Sequence, residues 1–87
     1  MRIPTPLRSY TGQQSVVEGR GATVDEVLAD LDRQFPGLRF RVVDEQGRLR
    51  THMKVWVGEE PVDRGALATT PVGADDEVTL MQALSGG

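Results

Sequence analysis

One stretch, TVDEVLADLDRQFPG (residues 23–37), restricts most strongly what this chain can fold into. Thr23 followed by Glu26 has capping-box spacing, so a hydroxyl and a carboxylate can each satisfy a backbone N–H left over in the first helical turn. Asp25 and Glu26 suit the positive end of the helix dipole. Val24, Val27, Leu28, Leu31 and Phe35 then recur at helical spacing and line one side. Pro36-Gly37 stops the helix. One helix with one apolar stripe has to be covered by something broad and flat, which means a sheet.

The remaining segments read as that sheet. QQSVVEG (13–19) is short and β-rich, MKVWVG (53–58) alternates, and EVTLMQAL (77–84) alternates with Val78 and Leu80 on one side. LRFRVVD (38–44) is expected as a further short strand, ended by the turn-like DEQGR. In the opening MRIPTPLR, Pro4 and Pro6 lack an N–H donor, so pairing is expected over the first few residues only. Residues 58–76 carry turn signals at Pro61, Gly65, Pro71 and Gly73 and are expected to be mostly irregular. The order predicts an α+β fold in which one amphipathic helix, about 23–35, crosses one face of a mixed sheet of four to five strands. A first hairpin, a helix and a returning last strand is the β-grasp order. Residues 1–84 are expected to form this domain and residues 85–87 a flexible tail.

Composition removes several functions. Ten basic and thirteen acidic side chains give a net charge of −3, which opposes binding to nucleic acid or to an anionic membrane surface. The absence of cysteine excludes disulfides, a catalytic thiol and thiolate metal sites. The opening residues lack the apolar core of a secretory signal, and no run is long enough to cross a bilayer, so a cytoplasmic protein is expected. A lone His52 is read as a solvated loop residue, because no second histidine or carboxylate cluster accompanies it. Asp75-Asp76-Glu77 reads as a solvated turn before a strand. The GRG at 19–21 lacks the glycine pattern and the lysine of a phosphate loop. Arg39, Arg41, Arg48 and Arg50 make a locally basic stretch, read as a solvated face.

The chain ends on Ser85-Gly86-Gly87, a poor way to finish a packed strand because glycine loses the most backbone freedom on ordering. Across nearly its whole length the sequence resembles the ubiquitin-like sulfur carriers of the ThiS/MoaD family. The resemblance rests on IPTPLRSYTG, TVDEVLADLDRQFPGL, GRLRTHMKVWVGEEPV and GALATTPVGADDEVTLMQALSGG. The opening IPT-x-LR and the central GALAT look most like the carrier of the cysteine pathway that starts from O-phosphoserine. In that family an E1-like enzyme uses ATP to adenylate the terminal carboxylate, and a sulfur donor displaces AMP to leave a thiocarboxylate. The resemblance therefore implies that Gly87 carries the sulfur, with Gly86 and Ser85 as its tail. It implies no bound cofactor and no catalysis by the chain itself. The implied partners are the activating enzyme, a sulfur-accepting synthase and a metalloprotease that trims the tail. It also implies docking of the activating enzyme on the open sheet face, for which Met81 and Trp56 are the candidates; the plainer reading is that Trp56 packs over its neighbours and Met81 fills a gap. Thiolation of a natural product, a tRNA or another cofactor would use the same tail chemistry, and three other roles use the same fold: a modifier joined to lysines through Gly87, the small subunit of a molybdopterin-synthase-type complex, or a module with an inert tail.

Overall fold

The structure is a computed structural model in which residues 1–83 are described. The helix α1, Val24–Gln34, forms where its spacing predicts. Thr23 caps it, its Oγ1 accepting from the Glu26 N–H at 3.2 Å. The reciprocal half of the box is displaced by one residue, since the Glu26 carboxylate accepts from the Ala22 N–H at 3.5 Å. Two more first-turn donors are satisfied from a distance: the Val24 N–H donates to the Thr70 carbonyl and the Asp25 N–H to the Leu67 carbonyl, both at 3.0 Å. The GALAT segment thus docks on the start of α1, with Leu67 buried as its anchor.

Residues 38–42 are a correction to the expected strand. They form a second short helix, α2, Leu38–Val42. Leu38 and Val42, four apart, are both fully buried, while Arg39 is half-buried and Phe40 and Arg41 face outward. Gly37 makes the corner with φ 95°, a left-handed conformation that glycine adopts without penalty. Asp32 of α1 then fixes the start of α2, its Oδ1 accepting from the Gly37 and Arg39 N–H groups at 3.1 Å each. Only Val43 remains extended, bridging Leu49 across the turn at 44–48.

The sheet has three strands rather than four to five: β1 Met53–Val57, β2 Glu60–Pro61 and β3 Val78–Gln82, in the order β2-β1-β3, all antiparallel. The missing strands survive as single bridges. Arg2 lies parallel to β3, donating to the Val78 carbonyl at 2.8 Å and accepting from the Leu80 N–H at 3.1 Å. On its other side residues 1–3 run antiparallel to 15–17, through Ile3 N–H to Ser15 carbonyl at 2.8 Å and Val17 N–H to Met1 carbonyl at 2.9 Å. The connectivity is that of a mixed β-grasp sheet, but neither segment is long enough to be a strand. Pro4 has no N–H with which to extend the ladder, and the chain turns at once into a 3₁₀ helix, Thr5–Thr11. Gly12 and Gln13 follow with φ 63° and 68°, so the expected strand 13–19 begins in a turn.

One core joins these pieces. Val24, Val27, Leu28 and Leu31 of α1 pack on Ile3, Val17, Val55, Val78 and Leu80 of the sheet and on Leu38, Val42, Leu49 and Leu67 beside it. The turn at 44–48 is held by Asp44, which accepts from the Gln46 and Arg48 N–H groups at 2.8 and 3.0 Å. The Arg48 N–H, above all, holds this carboxyl below its ordinary value of 3.8. A depressed folded-state pKa favours the fold above the unfolded value, and that contribution is lost as the pH falls through the folded one. Amide chemical shifts of Gln46 and Arg48 are expected to titrate together with a midpoint below that of a free aspartate. A midpoint at or above the free value would mean that the turn does not depend on this carboxylate.

Candidate functional site

β3 is the last element among the described residues. Gln82 pairs with Met53, and the Ala83 N–H donates to the His52 carbonyl at 2.8 Å. That bond is the last anchor among the described residues. Ser85, Gly86 and Gly87, the expected tail and sulfur-carrying end, lie outside them, as does the expected boundary at Leu84.

Alternation sorts β1 and β3 into two faces. Met53, Val55, Val78 and Leu80 are buried toward α1, while Lys54 and Met81 are exposed and Trp56 and Thr79 are half-buried. The register opposes Lys54 with Met81 and Trp56 with Thr79, and opposed residues share a face. Met81 and Trp56 therefore stand on the open face together, in adjacent pairs. The same register extends the row sideways: Pro61 opposes Trp56, Arg2 opposes Thr79, and Val16 opposes Arg2. Val16 is 55% and Met81 50% exposed. Exposed Val16 and Met81 and half-buried Trp56, set among Arg2, Lys54 and Thr79, make a mixed face of the kind suited to docking. Arg2 is ion-paired with Glu77 on this face, but both side chains are more than half exposed, so the pair adds little stability.

Val16 and Arg2 were not among the expected site residues. The Val16-Val17 doublet carried the signal, because in an extended segment one of two adjacent valines must face outward. His52 is exposed, as expected, and no group of acidic or histidine side chains among the described residues is arranged to hold a metal ion. Asp76 accepts from the Gly73 N–H at 2.7 Å and closes the expected turn. A cleft of about 500 Å³ has Val78, the first residue of β3, in its wall. Its wall includes Met1, whose amine donates to the Val17 carbonyl at 2.6 Å and is pushed to a lower pKa by burial. No helix among the described residues is long and apolar enough to cross a membrane.

The sequence matches the ThiS family over residues 1–87. The chain belongs to the ThiS family. It is 33% identical to the sulfur carrier protein CysO of Mycobacterium tuberculosis, over 98% of this chain and 94% of that one. The crystal structure of M. tuberculosis CysO superposes with a TM-score of 0.88 at 32% identity, covering 95% of this chain and 96% of the other. A chain of the Amycolatopsis orientalis BexX/CysO complex gives 0.89 at 35% identity, with 99% and 96% covered. SAMP1 from Haloferax volcanii gives 0.67 at 32% identity, with 93% and 89% covered. The fold is thus the ubiquitin-like β-grasp.

Proposed function

We propose that this chain is a sulfur carrier whose working end is the Gly87 carboxylate, with cysteine formation as its pathway. The observation that carries the reading is the match to ThiS-family carriers across residues 1–87, Gly-Gly end included. A free carboxylate is a poor acyl donor, since its leaving group would be oxide. Attack of that carboxylate on the α-phosphorus of ATP releases pyrophosphate and forms an acyl adenylate. A sulfide equivalent then attacks the acyl carbon, AMP leaves, and a thiocarboxylate remains. The chain is the co-substrate in this scheme, and the chemistry belongs to an E1-like activating enzyme and then to a sulfur-accepting synthase. A metalloprotease supplies the free Gly-Gly end where the chain is made longer. ATP is spent by the partner, so the domain needs no bound cofactor, and the cytoplasm is where these reactants meet. The open face of Met81, Trp56, Thr79 and Val16 supports docking beside the tail, because it exposes the apolar Val16 and Met81 at its surface.

Exchange of labelled pyrophosphate into ATP by the activating enzyme tests the first step. Exchange is expected only when this chain, with Gly87 free, is present; exchange that ignores the chain would contradict the reading. Similarity to SAMP1, which is described as a small archaeal modifier protein, favours a second reading, conjugation through Gly87 to lysines. Gly-Gly remnants on lysines in cell digests, without free thiocarboxylate, would select it.

A further inference from the structure

A second exposed apolar group stands beside the tail root, on the flank away from Met81. Phe40, at 61% exposed, is the most exposed large apolar side chain among the described residues. Its neighbours in sequence Leu38, Val42 and Val43 are fully buried, whereas the Phe40 ring stands mostly in solvent. Arg50 lies over it, with the guanidinium carbon 4.5 Å from the ring centre. The Arg50 Nε also donates to the Phe40 carbonyl at 2.7 Å. Two contacts therefore fix one guanidinium in place while its terminal nitrogens stay available.

The charges around this pair are unequal. Phe40, Arg41, Arg50, His52, Met53 and Gln82 line a cleft of about 220 Å³. The ion pairs among the described residues are Arg2–Glu77, Arg33–Asp30 and Arg39–Asp25, and neither Arg41 nor Arg50 is in one. On the opposite side of Arg50 stand Asp44, Glu45 and Gln46. Asp44 accepts from its own turn and its charge also meets Arg50, so the carboxylates lie on that flank, while the wall of the cleft on the other flank holds none. Two arginines and a histidine thus face one small cleft in a chain whose net charge is −3. The cleft is below the roughly 300 Å³ at which small-molecule pockets begin. It suits carboxylate side chains meeting the arginines and an apolar side chain meeting the ring.

Gln82 belongs to this cleft and Met81, one residue earlier, to the open face. The end of β3 therefore stands between two exposed apolar groups, Phe40 on one side and Met81 on the other. This geometry matters because a terminal glycine carboxylate is not distinctive. An enzyme that activates it has to recognise the domain around the tail root, since the reacting atoms offer no discrimination.

From this we infer that Phe40, Arg41 and Arg50 form a second docking platform that receives an acidic segment of the ATP-dependent activating enzyme. The inference rests on the carrier reading given above. Its test is the affinity of the activating enzyme for the full chain, measured by titration calorimetry at two salt concentrations, together with pyrophosphate exchange. Phe40→Ala is expected to weaken binding about 10-fold, and the double variant Arg41→Glu, Arg50→Glu about 100-fold with a lost salt dependence. All three side chains are exposed or half-buried, so melting temperatures should stay within a few degrees of the wild type. Both variants binding and being activated as well as the wild type would overturn the platform and leave the carrier function standing. A wild-type chain that is never activated would overturn both. A wild-type dimer that Phe40→Ala dissociates would overturn the proposal by assigning the platform to a second copy of the chain.

Discussion

A Gly86→Val variant is expected to lose at least about 100-fold in the rate of activation by the ATP-dependent enzyme, with its melting temperature unchanged. The reacting carboxylate has to be brought in line with the α-phosphorus of ATP, and a misplacement of about 1 Å costs rates of this order. On the carrier reading proposed above, a glycine at 86 would let the backbone pass where a Cβ would collide, and glycine adopts left-handed conformations that a β-branched residue does not. Stability should not change, because position 86 lies beyond the Ala83 bond to His52, the last backbone anchor among the described residues. Pyrophosphate exchange gives the rate, and a thermal melt of the same sample checks the fold. Equal rates for valine and glycine would show that the passage to the nucleotide is not narrow.

The second large effect lies in the core. Leu28→Ala is expected to destabilise the domain by about 3 kcal/mol, since Leu28 is fully buried between the sheet and α2 and its loss leaves a cavity. A domain of this length has only about 5–15 kcal/mol in total, and its melting temperature moves roughly 4–8 °C per kcal/mol. A fall of about 12–24 °C should follow. Arg33→Ala on the same helix removes a side chain that is 74% exposed in its pair with Asp30 and should change stability by no more than about 0.5 kcal/mol. A Leu28→Ala variant that melts like Arg33→Ala would contradict the core as described.

The difference between these two positions was legible in the sequence, because Val24, Val27, Leu28 and Leu31 repeat over about two turns and a period has room to show. The same logic failed at 38–42. A five-residue helix displays only one i,i+4 pair, Leu38 and Val42, and the β-branched Val42-Val43 reads as strand. The outward placement of Phe40 was hidden with it. At the N-terminus the prolines warned of partial pairing, yet three residues that bridge on both sides and then leave for a 3₁₀ helix have no sequence period of their own. The role of residues 67–70 in capping α1 was invisible for a different reason: the capping groups are the backbone carbonyls of Leu67 and Thr70, which every residue carries. For the site, the alternation in β1 and β3 was enough to place Met81 and Trp56 on one face. Adding Arg2 and Val16 to that face needs the register between segments distant in sequence, which only the folded chain supplies.

The most direct measurement is the intact mass of the full chain after incubation with ATP, Mg²⁺, the activating enzyme and a sulfide source, alongside a chain lacking Gly87. The account predicts that the full chain gains the mass of one sulfur in exchange for one oxygen and that the shortened chain gains nothing. An unchanged full chain, with the same enzyme shown to charge another carrier, would contradict it.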